Sequence, residues 1–136
     1  MNYLDEHTIE IRVRYVECDP MGYVHHTVYP EWFERARTEM LRQGGTPYSK
    51  IESEGTLVVV SKLEVKYKAS AVYDDVVTVT THLKRSSGAR IEHDYTVKRG
   101  ETLLCTGSTT LACVDRDTLT VIPVPDYLTV KGNTKK

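Results

Sequence analysis

The sequence predicts an α+β fold in which one long helix lies on a curved antiparallel sheet, and three observations carry that reading. Only one stretch, residues 29–41, repeats its apolar residues at helical spacing. Nearly everything beyond residue 57 alternates with period two and is rich in β-branched residues. Short Gly, Asp and Ser clusters separate those alternating runs, so neighbouring strands are joined by tight turns and pair antiparallel.

Taken in order, residues 8–15 read as a half-buried strand, with Ile9, Ile11, Val13 and Tyr15 on one face and Glu10, Arg12 and Arg14 on the other. A loop dense in chemistry follows, Tyr15-Val16-Glu17-Cys18-Asp19-Pro20-Met21-Gly22-Tyr23-Val24-His25-His26-Thr27-Val28-Tyr29. Pro20 fixes its own φ and biases Asp19 towards an extended conformation, while Gly22 allows the chain to turn. The helix places Tyr29, Trp32, Phe33, Ala36, Met40 and Leu41 on its apolar stripe. Pro30 fits only a first turn, so the helix starts at 27–29 with Thr27 as candidate N-cap, and Gly44-Gly45 ends it. In the first strand after it, Val59, Ser61, Leu63, Val65 and Tyr67 read as one face, with Lys62, Glu64, Lys66 and Lys68 on the other. Turns at Tyr73-Asp74-Asp75, Ser86-Ser87-Gly88, Arg99-Gly100 and Asp115-Arg116-Asp117 then separate runs at 76–83, 90–97, 102–114 and 119–124. One helix cannot cover both faces and both edges of such a sheet, so the chain is expected to form a homodimer or homotetramer.

Length and composition narrow the function. The 136 residues suit a single domain spanning 1–136, with 131–136 expected as a disordered tail. A net charge of -1 leaves no cationic excess to neutralise phosphates, which argues against a nucleic-acid partner. Cys18, Cys105 and Cys113 are odd in number and show no CxxC pairing, which fits reduced thiols in a cytoplasmic protein. Cys105 and Cys113, eight residues apart in one strand, read as same-face core residues. Residues 1–10 carry acids and a His but no apolar run, so no signal peptide is expected, and no stretch approaches the ~18 apolar residues that a membrane helix needs. No G-x-S-x-G elbow, GxGxxG or P-loop occurs.

The pattern Tyr15-x3-Asp19-Pro20-x-Gly22-x-Val24-x-His26-x2-Tyr29, followed by Trp32-Phe33-Glu34-Arg35-Ala36-Arg37-Thr38-Glu39-Met40-Leu41, resembles the hotdog-fold acyl-CoA thioesterases of the 4-hydroxybenzoyl-CoA thioesterase and YbgC-like branch. The Tyr73-Asp74-Asp75 turn and Val114-Asp115-Arg116 extend the likeness over most of the chain. The resemblance implies one long helix wrapped by a curved antiparallel sheet of five or six strands. It also implies a dimer with active sites at the subunit interface, often doubled to a tetramer as a dimer of dimers. Asp19 matches the family's catalytic carboxylate, His26 the position whose backbone N–H polarises the thioester carbonyl, and Tyr15 a tyrosine beside the acid.

Hydrolysis of an acyl-CoA needs an attacking oxygen and a stabilised oxyanion. Asp19 could supply the first as a nucleophile or as a general base on water, and both routes stay open. N–H groups around His26, at the positive end of the helix, suit the second. Against these stand plainer readings: Asp19 as a turn former before proline, His26 as a space-filling imidazole and Tyr15 as a core aromatic. A Cys18 nucleophile is disfavoured, because neighbours in an extended segment point opposite ways and Cys18 cannot share a site with Asp19. By the same reasoning His25 and His26 diverge, and no third metal ligand is placed. Neither a metal nor another cofactor is expected. Lys84, Arg85 and Arg90 form the most compact basic patch and are candidates for the CoA phosphates. Ser61 is a candidate for the acyl pocket, while Tyr23, Tyr29, Trp32 and Tyr67 suit either an aromatic pocket or the core. The alternative functions are a hotdog hydratase or dehydratase, and a non-catalytic acyl-thioester binding module.

Overall fold

The computed structural model describes residues 5–128. The expected tail at 131–136 lies outside them. Strand β1 (Glu6–Arg12) leads through a 3-10 turn (Tyr15–Glu17) and the Asp19 loop into the long helix α1 (Val28–Gln43). A short helix α2 (Tyr48–Ser53) precedes β2 (Thr56–Tyr67), β3 (Val76–Ser87), β4 (Arg90–Arg99), β5 (Thr102–Asp115) and β6 (Val121–Ile122), and a second 3-10 turn spans Asp126–Leu128. The strands form an antiparallel six-stranded sheet of order β1-β3-β4-β5-β2, with β6 alongside β5 where β4 has ended. No helix among the described residues is long and apolar enough to cross a membrane.

The stripe read from the sequence is the face α1 buries: Tyr29, Trp32, Phe33, Ala36 and Met40 are all inaccessible or nearly so. The first four pack against Ile11 and Val13 of the first strand region, Val77 and Val79 of β3, and Tyr95 and Val97 of β4. Phe33 stacks on Tyr95 with ring centroids 4.4 Å apart. Its ring lies over Gly107 of β5, where any Cβ would run into it. Glycine is therefore required there by a close approach of helix to sheet. At the other end of α1, Gly44 N–H reaches the Met40 carbonyl and Gly45, with φ +93°, reverses the chain.

Four expectations are corrected. The fold has two helices rather than one: α2 carries a single buried apolar residue, Ile51, too few to show a period. Ile51 plugs a second core with Ile91, Leu111, Cys113, Val124 and Leu128. The first strand ends before Tyr15, which enters the 3-10 turn and is 79% exposed instead of facing the core. In β2 a bulge at Ser61 shifts the register, since Val60 opposes Leu111 while Lys62 opposes Thr110. Directly paired residues share a face, so Val58 and Val60 lie with Leu63, Val65 and Tyr67, while Val59 lies opposite; the single face of Val59, Ser61, Leu63, Val65 and Tyr67 does not exist. The last strand is only Val121–Ile122, because Leu119 takes a left-handed turn conformation with φ +59°.

Gly107→Ala should lower unfolding free energy by about 1–3 kcal/mol through overpacking, read by urea denaturation. Phe33→Leu added to it should cost less than the sum of the two single changes, because both act on one contact.

Candidate active site

The loop that carries Asp19 is built as a tight antiparallel ribbon. Cys18 and Val24 form a bridge, Asp19 N–H donates to the Tyr23 carbonyl (2.7 Å), and His25 N–H donates to the Glu17 carbonyl (2.9 Å). Val24 is buried and Cys18 packs on the main core, so the ribbon is anchored on that side. At its tip Gly22 adopts φ +90°, a conformation that glycine takes without strain. Asp19 Oδ1 accepts backbone N–H groups from Met21 (2.9 Å) and Tyr23 (3.2 Å). Its other carboxylate oxygen has no protein partner among the described residues. One oxygen thus fixes the carboxylate and the second is left available.

The ribbon returns directly into α1. The His25 carbonyl accepts from Val28 N–H (3.0 Å), which turns the His26 N–H of the same peptide unit away from the helix. That N–H has no partner among the described residues. The His26 carbonyl is fixed separately by the Tyr67 hydroxyl of β2, at 2.7 Å. Thr27 occupies the N-cap position, but its side chain does not cap the helix: its hydroxyl bonds His25 Nδ1 at 2.8 Å. The His25 and His26 rings stack with centroids 4.4 Å apart, so the expected divergence is overturned by this turn at the helix start. Among the described residues no group of three or more His, Cys, Asp or Glu side chains is placed to hold a metal ion.

The residue that locks this arrangement is Glu17, which the sequence reading passed over. It is buried, with Oε1 accepting Arg14 N–H (2.8 Å) and Oε2 accepting the Trp32 indole N–H (3.1 Å) and the Arg14 guanidinium (3.2 Å). Burial alone would raise its pKa, yet the hydrogen bonds from Arg14 and Trp32 outweigh that and hold it below the ordinary carboxylate value. An acid three residues after Arg14, where a capping box would put it, was the available signal.

Other candidates fall elsewhere. Tyr15 packs edge-on against Tyr73 on the surface, and its hydroxyl makes no hydrogen bond to Asp19. Burial and the neighbouring acids raise the Cys18 thiol's pKa, which disfavours the thiolate. Ser61 sits exposed on the β2 bulge with its hydroxyl on the Thr110 carbonyl. Lys84 pairs with Asp94 and Arg90 with Glu92, while Arg85 is exposed near the same turn. That turn is at the opposite end of β3 from the Asp19 loop, since β1 enters the loop beside Val76. Arg85 is nine positions along the strand from Val76, roughly 30 Å, so one chain does not bring the basic patch to its own Asp19.

Comparison with known proteins identifies the family. Residues 13–131 match the family model described as the thioesterase-like superfamily. The protein named acyl-CoA thioesterase YbgC from Haemophilus influenzae is 33% identical over 116 residues, covering 85% of each chain. The acyl-CoA thioester hydrolase YbgC of Escherichia coli O6:H1 is 34% identical over 106 residues, covering 77% of this chain and 79% of that one. Among solved structures, the DHNA-CoA thioesterase from Staphylococcus aureus superposes with a TM-score of 0.84 at 35% identity, covering 90% of this chain and 83% of that one.

Glu17→Gln should cost about 1.5–3 kcal/mol at neutral pH, the worth of hydrogen bonds to a charged group. Because the folded pKa is depressed, Glu17 stabilises the wild type above the ordinary carboxylate pKa. That contribution is lost as pH falls from there through the lowered value. Urea titrations at stepped pH, read on the single tryptophan, should show a shallower acid-side fall in the variant.

Proposed function

The chain belongs to the thioesterase-like superfamily and is a thioester hydrolase of hotdog-type fold, and from that premise we propose that it hydrolyses an acyl-CoA with aromatic or short acyl group to the free acid and CoA, using Asp19. The observation that carries the proposal is the half-satisfied Asp19 carboxylate, one oxygen tied to Met21 and Tyr23 N–H and the other open, on a ribbon that ends in the unpaired His26 N–H at the start of α1. In this reading the thioester carbonyl oxygen accepts from His26 N–H, where the helix dipole adds positive potential. The open Asp19 oxygen then attacks the carbonyl carbon, forming a mixed anhydride and expelling the CoA thiolate for water to resolve. In the other form of the step, it draws the proton from an attacking water. Single-turnover hydrolysis in ¹⁸O-water separates them: general-base attack puts the label in the product acid, whereas an anhydride opened at the Asp19 carbonyl carbon leaves the label in Asp19 and releases unlabelled acid.

The proposal extends to the assembly and the binding residues. The sheet wraps α1, and copies of the chain associate as a homodimer or homotetramer in the cytoplasm. What supports association is β2, an edge strand whose Val59, Val60, Leu63 and Tyr67 are each 42–51% exposed in the single chain. Association would let Lys84, Arg85 and Arg90 of one copy serve the CoA phosphates at another copy's Asp19. Ser61 would line the acyl pocket from the β2 bulge, and Tyr15 would stand at its mouth.

Thiol release from a panel of aromatic and short-chain acyl-CoAs should fall by ~1000-fold in Asp19→Asn, about 4 kcal/mol of transition-state stabilisation. Absence of hydrolysis by the wild type on every member would sink the proposal. Light scattering should give the mass of two or four chains, and a single-chain mass at micromolar concentration would refute the assembly.

A further inference from the structure

A cavity lies at the end of the fold away from Asp19, bounded by the C-terminal half of α1, α2 and the sheet. Its volume is about 130 Å³, close to the ~150 Å³ at which an apolar protein cavity accepts benzene. Met40, Leu41, Ile51, Leu83, Ile91 and Leu111 give it apolar walls. Two nitrogen-bearing side chains also line it, Arg37 of α1 and His93 of β4.

Neither of these is used up by the protein. His93 is 4% exposed, and its buried Nδ1 has no hydrogen-bond partner. Burial, with the Arg37 charge beside it, lowers its pKa to about 3, so the imidazole is neutral at any physiological pH. Arg37 is half-buried and gives one N–H to the Tyr95 hydroxyl (3.1 Å), which also shares a 2.6 Å hydrogen bond with Thr109. A guanidinium has five N–H donors, so four are without a protein partner among the described residues. Glu34 is the only carboxylate in the lining, exposed one turn from Arg37, and no ion pair joins them among the described residues. An orphaned buried imidazole nitrogen costs free energy that a ligand with a complementary group would recover.

We propose that this cavity is a binding site for a small monocarboxylic acid with a compact apolar body, its carboxylate held by Arg37 and by His93 as the Nδ1–H tautomer. The guanidinium fork matches a carboxylate, and the imidazole N–H supplies a further donor. The apolar walls take a group of about one ring or a branched chain of similar size. Neither donor belongs to the Asp19 loop, so the site stands whether or not Asp19 drives hydrolysis.

Methyl-detected NMR titration with benzoate is the test, with benzyl alcohol as neutral control. Saturable shifts at the Leu111, Ile91 and Met40 methyls are expected, equal in wild type and Asp19→Asn. Benzyl alcohol should bind at least tenfold more weakly than benzoate, and Arg37→Met should weaken benzoate by a similar factor. The Tyr95–Thr109 bond survives that substitution, and the wild-type comparison of the two ligands serves on its own if the variant does not fold. Absence of cavity shifts, shifts confined to Val24 and Val28 beside the Asp19 loop, or equal binding of alcohol and acid would each overturn the assignment.

Discussion

The structure depends most on a carboxylate held inside it. Glu17 is buried where an unpaired charge would be costly, and it is tolerable because Arg14 and Trp32 supply three donors to its two oxygens. Each donor comes from a different setting: a backbone amide at the end of the first strand region, an exposed guanidinium, and an indole on the buried face of α1. Glu17 therefore fixes the distance between strand and helix. Its own carbonyl takes His25 N–H, so the same residue also closes the base of the Asp19 ribbon. Breaking one donor would leave the remaining charge buried, which is why such a group is destabilising to cut.

From that anchor the site follows by steps of one or two hydrogen bonds. The ribbon is too short to wander: between its base at Glu17 and its tip at Gly22, Asp19 spends its N–H, its carbonyl and one carboxylate oxygen on the turn itself. Only the second oxygen is uncommitted. Past the tip, Val28 and Tyr67 take the two carbonyls flanking His26, and the peptide N–H between them is left facing outwards. Aromatic rings back this arrangement, with Trp32 edge-on to Tyr29 (5.0 Å) and Tyr29 edge-on to Tyr67 (5.6 Å). The indole bonded to Glu17 and the hydroxyl bonded to His26 thus belong to one packed row.

What the sequence made legible was whatever depends on local spacing. The α1 stripe from Tyr29 to Met40, its end at Gly44-Gly45 and the turn geometry around Asp19-Pro20 and Gly22 are all properties of neighbours within four residues, and all were readable. Features set by distant partners were not. Tyr15 alternates correctly with Ile11 and Val13, yet Glu17's pull on Arg14 curls the chain into a 3-10 turn and sends Tyr15 outwards. The Ser61 bulge is invisible to an alternation count, because apolar residues recur in the strand on either side while its phase slips by one. Helix α2 was missed because its single buried apolar residue, Ile51, is justified only by the second core it fills. Glu17 itself looked like one more acid on a polar loop; its spacing from Arg14 hinted at a cap, but its burial depends on the distant Trp32.

The bulge ties the sheet's edge to the chemistry. Upstream of Ser61, Val60 shares a face with Leu111; downstream, Leu63 and Tyr67 share a face with Thr109 and Cys105. Without the extra residue, one of the two halves would turn its apolar side chains outwards, and Tyr67 would point away from α1. With it, Tyr67 stays on the helix side and reaches the His26 carbonyl. Yet β2 has no neighbour beyond it in the single chain, and its apolar residues remain half in water. A strand in that position is held by one ladder only, whereas Glu17 is held from both the strand region and the helix. A second chain covering β2 would therefore do more than bury Val59, Val60 and Leu63: by steadying Tyr67 it would steady the peptide next to the His26 N–H, coupling assembly to the geometry on which the oxyanion reading rests.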